Sequence, residues 1–163
     1  MALSMDQLKA LVDGIGLRYY VDPRRDALMF SVRGTHIGYQ MLLVLEAEGR
    51  FLQFRSIEFM SCPKGHEHLN AVLKVMAAVN YQMRLVKHAW DVRDGEIVVL
   101  ADLWVMDGTV TSAQFRRMLE NYVGGMDDSH PRLSKTLQTG QDPGPTDVEK
   151  NAQTKKGPGI TEV

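Results

Sequence analysis

The sequence predicts an α+β fold, an antiparallel sheet of about five to six strands with three helices in the order α-β-β-β-β-α-β-β-α. Three observations lead there. The helix-start pattern Ser/Thr-x-x-Gln occurs near each end of the apolar part of the chain, at Ser4–Gln7 and Thr111–Gln114. Between them lie short runs of β-type residues separated by turn signals. One stretch in the middle, about His66 to Asn80, returns to helical spacing.

At the N-terminus, the Ser4 hydroxyl can accept the Gln7 amide hydrogen while the Gln7 side chain reaches back to Ser4. Leu3 and Leu8 occupy the positions of a hydrophobic staple. Leu8, Leu11, Val12 and Ile15 make one apolar stripe, and Gly14 and Gly16 stop the helix. Strand signals follow. Leu17 to Val21 runs into the turn Asp22-Pro23-Arg24-Arg25-Asp26. Ala27 to Arg33 alternates, with Leu28, Phe30 and Val32 on one side. Gly34-Thr35 marks a turn, about His36 to Leu45 is the next strand, and Phe51 to Phe59 follows the turn at Glu46 to Gly49. These four runs read as an antiparallel meander.

Cys62-Pro63-Lys64-Gly65 interrupts the sheet. In the central helix Leu69, Val72, Leu73, Met76 and Val79 form the apolar stripe. Met83 to Val92 and Ile97 to Trp104 read as a hairpin, with Asp94-Gly95 suited to a type I′ turn. The last helix opens at Thr111, with Val110 and Phe115 as its staple. It presents Phe115, Met118, Leu119 and Tyr122 inward and is expected to end at Gly124-Gly125. Asp127 to Leu133 then wraps back onto the core. From Ser134 the composition turns rich in Gly and Pro and poor in large apolar side chains. Such a segment cannot offset its ordering entropy, so residues 134–163 are expected to be a disordered tail behind a domain of residues 1–133.

The chain has 163 residues, 44% of them hydrophobic and 24% charged, enough for one domain with a sizeable core. A formal net charge of -1 supplies no long-range field for nucleic acid or an anionic membrane. The single cysteine, Cys62, cannot form an intramolecular bridge. Residues 1–10 have no basic region followed by an apolar run, and Met41 to Leu45, the longest apolar stretch, cannot span a bilayer. The cytoplasm is the expected location.

Catalytic and metal chemistry find little footing. Cys62, His66 and His68 cluster in sequence, but two histidines two positions apart do not share a helix face, so no metal site is expected. No motif of a cysteine nucleophile surrounds Cys62. His36, His88 and His130 are isolated. Asp22, Asp26, Asp91, Asp94 and Asp107 fall in or beside turns, where Asp serves local hydrogen bonding. Gly14-x-Gly16 follows a helix and lacks the rest of a dinucleotide fingerprint. No catalytic residue and no cofactor is expected.

One feature stands above this background. Met41 to Leu45 and Ile97 to Leu100 are apolar on both alternating faces, so both sides of these strands need cover. Three helices divided between the sides would supply it. Helices grouped on one side would leave an apolar face for a partner or a second copy, with Met41, Leu43, Leu45, Val98 and Leu100 as the candidate residues.

The middle of the chain also carries a resemblance. Leu69-Asn70-Ala71-Val72-Leu73, Val79-Asn80, Asp94-Gly95-Glu96-Ile97-Val98 and Thr111-x-x-Gln114-Phe115 resemble the bacterial YbjN family over roughly residues 4–133. That family is similar in fold to type III secretion chaperones. The resemblance implies a non-enzymatic protein that dimerises and holds peptides or regulates other proteins, and it supplies no catalytic residues. The expected function is therefore a peptide- or protein-binding module, chaperone-like or regulatory, with a homodimer as its form. The alternative is a small-molecule-binding or enzymatic α+β domain, which would show a deep pocket with convergent polar groups.

Overall fold

The computed structural model describes residues 2–145. Helix α1 (Met5–Asp13) starts at the Ser4–Gln7 capping box, with both reciprocal hydrogen bonds made, and Leu3 and Leu8 are buried together behind it. Strands β1 (Tyr19–Asp22), β2 (Ala27–Arg33), β3 (Gly38–Glu46) and β4 (Phe51–Ile57) form the expected meander. A two-residue strand β5 (Met60–Ser61) precedes helix α2 (Leu69–Gln82). Strands β6 (Val86–Trp90) and β7 (Glu96–Trp104) follow, then helix α3 (Ser112–Thr139). The sheet has seven strands, all antiparallel, against the five to six expected.

The extra strand is a continuation of β4. Arg55 pairs with Leu100 and Met60 with Ile97, so two residues are added on one side of the β7 ladder. Glu58, at φ 51°, makes the bend. Ile97 pairs with Trp90 of β6 on its other side, so β4 and β5 share one edge of β7 and β6 takes the other. The resulting order across the sheet is β1-β2-β3-β4/β5-β7-β6, with β1 and β6 at the edges. Where the bulge opens the ladder, side chains close it. The Ser56 hydroxyl accepts the Val99 N–H at 2.8 Å, and the Tyr122 hydroxyl of α3 donates to the Val99 carbonyl at 2.7 Å.

The buried residues of all three helices form one cluster with a single alternating set from the strands, including Leu28, Phe30, Met41, Leu43, Leu52, Phe54, Ile97 and Val99. The helices therefore share one side of the sheet. The other side carries Tyr20, Met29, Leu42, Val44, Gln53, Arg55, Leu100 and Asp102 in register with one another.

Three expectations need correction. Gly124-Gly125 does not end the last helix, which runs on to Thr139. A Cβ on Gly125 would stand 3.0–3.3 Å from the Val86 side chain, so this glycine lets the helix lie close against β6. The tail does not begin at Ser134. Leu133 and Thr136 are fully buried, and Arg132 holds Asp142 through two contacts of 2.8 Å. The stretch expected to be structureless is the last turn of α3 and the strap behind it; the rest of the expected tail, residues 146–163, lies outside the described residues. Finally, Asp94-Gly95 is not a type I′ turn, because only Gly95 of the two has positive φ. The loop is the four residues Val92 to Gly95, two longer on its N-terminal side, closed by Gly95 N–H to the Asp91 carbonyl and Asp91 N–H to the Glu96 carbonyl at 2.8 Å.

Candidate partner-binding site

The five residues expected at an open face separate by strand parity. Met41, Leu43 and Leu45 point to the helices and are buried in the core, so they offer nothing to a partner. Successive side chains of a strand alternate between faces, and a run that is apolar at every position does not reveal which parity lies inside. Val98 and Leu100 do lie on the side without helices, where Val98 is buried and Leu100 half-buried. The residues of β3 that accompany them there are Leu42 and Val44.

That open side is only partly apolar. Its centre is a polar ladder in which Gln53 donates to Asp102 at 2.9 Å, Lys87 pairs with the same carboxylate, and Arg55 meets Glu96 at 3.4 Å. Apolar groups are left at its two ends. At the β1 end these are Tyr20, Met29 and Leu42. At the other, Phe51 packs on Trp104 with ring centroids 4.7 Å apart.

Trp104 is 66% exposed and stands at the mouth of an open groove of about 560 Å3. Leu103, Trp104 and Val105 at the end of β7, Leu85 before β6, and Val110, Ala113 and Met118 beside or on α3 make its apolar lining. Asp102, Gln114, Arg117 and Asn121 form a polar rim. The Thr111 capping box holds this wall in place, since it fixes the start of α3 immediately beside Val110. Leu85 is 64% exposed and sits at φ 67°, a costly setting for a non-glycine residue. An exposed Trp, a Met and an Arg on one concavity are residue types enriched where proteins meet, and the strained, exposed Leu85 adds apolar surface beside them.

The titratable groups inside the fold are engaged elsewhere. His88, on β6, is buried, and burial pushes its imidazole down to about 4. Its Nδ1 faces Asn80 Oδ1 at 3.1 Å and its Nε2 faces Ser129 Oγ at 2.8 Å. Asn80 Oδ1 is an acceptor, so the neutral ring carries its proton on Nδ1, and the single hydrogen of the Ser129 hydroxyl is shared between Nε2 and the Gly125 carbonyl, each 2.8 Å away. Asp127, on α3, accepts the N–H of Thr35 at 2.6 Å, the N–H of His36 at 3.2 Å and the Tyr39 hydroxyl at 2.9 Å. Burial would raise its pKa, but the bonds from Thr35, His36 and Tyr39 prevail and hold it at about 2. Both groups act as clamps between α3 and the sheet.

The Cys62, His66 and His68 cluster is dispersed in function. Cys62 is buried and its thiol is pushed up by burial, while its carbonyl accepts the Trp90 indole at 2.9 Å. His66 accepts the His68 N–H at 3.1 Å at the start of α2. Among the described residues no three His, Cys, Asp or Glu side chains are grouped as a metal would require. Sequence reasoning missed Asn80, Asp127 and Trp104. Each acts through residues distant in sequence, and only the alternation in β7 gave a hint, by placing Trp104 on the open side.

Comparison with known proteins adds the following. Residues 4–135 match the YbjN family, described as "Putative bacterial sensory transduction regulator". Among solved structures the chain is similar to the crystal structure of YbjN from E. coli, with a TM-score of 0.63, 17% identity, and coverage of 85% of this chain and 94% of that one. No curated protein matches the chain in sequence. At this identity the likeness is one of fold.

Proposed function

The chain belongs to the YbjN family, and from this premise we propose that it is a regulatory module that acts by binding another protein. The observation that carries the reading is the Trp104 groove. Its lining is mostly apolar and its rim is polar. A helix that buries an apolar face in such a groove gains roughly 25 cal/mol per Å2 of surface removed from water, before the cost of association. The fitting partner is an amphipathic segment whose apolar side chains meet Leu85, Trp104 and Met118. Arg117 on the rim favours an acidic flank in that segment. A chaperone-like role would use the same surface to hold a peptide. The family description, a regulator of sensory transduction, favours regulation.

The test is site-specific photo-crosslinking in the native cell, with the crosslinking residue at Arg117 and the full chain otherwise intact. A discrete adduct is expected, lost when Trp104→Ala and Leu85→Ser are introduced together. An adduct that survives both changes would overturn the groove as the site. Turnover of a small molecule lost with the same two changes would overturn the reading of the chain as a binding module.

A further inference from the structure

We propose that two copies of this chain pair antiparallel through the edge strand β1, with the twofold axis at Tyr20. The inference goes beyond the groove reading and uses none of its residues. It starts from the inequality of the two sheet edges. At β6 the outward N–H and C=O of His88 are both taken by the Asn80 side chain, and the exposed Lys87 lies beside them. An edge plugged and charged in this way resists further strands. Among the described residues no strand lies beyond Tyr19–Asp22 at the β1 edge. Tyr20 and Val21 are exposed there, and Tyr20 continues the apolar surface of Met29 and Leu42 on the open side of the sheet.

The sequence of this edge is complementary to itself. About an axis through Tyr20, antiparallel pairing sets Tyr20 against Tyr20, Tyr19 against Val21, and Arg18 against Asp22. Alternation puts Arg18, Tyr20 and Asp22 on the same face, so one aromatic pair is flanked by two opposite-charge pairs. Arg18 is exposed and has no ion pair among the described residues. Asp22 already meets Arg25 at 3.0 Å and the Arg24 N–H at 2.9 Å, and a carboxylate has lone pairs enough to take a second cation. A shift of the axis by half a residue would set Tyr19 against Asp22 and lose both charge pairs.

The inequality also explains why assembly stops at two. A strand edge can template an endless sheet only if both edges are open. With β6 blocked at its centre, His88, by Asn80 and β1 used by the twofold partner, neither edge strand among the described residues is left open along its length. Pro23 and the charges Arg24, Arg25 and Asp26 after β1 keep the paired segment short.

Sedimentation and cysteine crosslinking of the full chain test this. The native chain is expected to sediment as a dimer at tens of micromolar. Tyr20→Cys is expected to form an intermolecular disulfide under mild oxidation, because directly opposed Cβ atoms lie roughly 4.5–5.5 Å apart. Ser31→Cys, on β2 one strand in from the edge, is expected not to crosslink, because two β1 strands then separate the cysteines, and the buried Cys62 supplies little background. Arg18→Glu is expected to weaken self-association about tenfold, and Arg18→Glu with Asp22→Lys to restore it. Circular dichroism of each variant checks that it is folded. A monomer at these concentrations overturns the proposal. So does a dimer that Tyr20→Cys fails to crosslink, or one dispersed by Trp104→Ala, since either places the contact elsewhere. Crosslinking of Tyr20→Cys to an unrelated chain would show that β1 receives a foreign strand instead.

Discussion

Asn80 holds the backbone of His88 by both of its hydrogen-bonding groups, accepting the N–H at 2.7 Å and donating to the carbonyl at 2.9 Å. A side chain at the end of α2 thus replaces the next strand of the sheet. Asn80→Leu is nearly equal in size but makes neither bond. It is expected to cost about 1–3 kcal/mol of stability in denaturant unfolding. It is also expected to turn a closed edge into an open one, seen as species larger than a dimer in sedimentation. An unchanged midpoint with no larger species would show that the clamp is incidental.

His88 sets an acid limit on stability. Its pKa is lowered by burial from 6.5 to about 4, so between these values the unfolded chain binds a proton that the folded chain does not. Stability is therefore intact above pH 6.5 and is lost as pH falls toward 4. At about 1.4 kcal/mol per pH unit the loss approaches roughly 3 kcal/mol. His130, also lowered by burial, acts in the same direction. In His88→Gln the slope of unfolding free energy against pH over this window is expected to flatten. A slope unaltered by the substitution would assign the acid limit to other groups.

Asp127 latches the β2–β3 loop onto α3. Asp127→Ala removes three bonds to a charged acceptor and is expected to destabilise the fold by about 2–4 kcal/mol. Its local signature is hydrogen exchange. The amides of Thr35 and His36 are expected to lose protection before those of β3, and uniform loss across the sheet would contradict a local latch.

Ending the chain after Ser134 removes Thr136, Leu137 and Asp142, and with them the carboxylate that faces the buried Arg132. A drop in thermal midpoint of several degrees is expected, where a free tail would give none. Asp142→Asn isolates the charge and is expected to produce part of that drop.

The elements were legible where local chemistry alone sets them. Ser4–Gln7 and Thr111–Gln114 close both capping boxes because the partners are three residues apart and nothing distant enters. The second half of α3 was hidden because Met126 and Leu133 alternate on its inner face with Gly125, Ser129, Arg132 and Thr136. The small and polar residues break the apolar stripe, yet they allow the close approach to the neighbouring elements that buries them. The partner surface was legible only to the level of a strand. Met41–Leu45 is apolar throughout, and the choice of odd-numbered residues for the core follows from where α1, α2 and α3 pack. The Trp104 groove joins residues 85 to 121 around the end of a strand, a relation set by topology.

Helix α3 has 28 residues and is roughly 42 Å long. Its first turns wall the Trp104 groove, its middle is bolted to β7 through Tyr122 and Val99, and its last turn abuts His68, which a Cβ on Gly140 would meet at 2.6 Å. In mechanical terms it is a beam pinned to the sheet at Tyr122, Asp127 and Ser129, so a ligand that wedges the groove would bend it and not pivot it. Pro131 lies past these pins and deprives the far end of one backbone hydrogen bond, so that end is the compliant one.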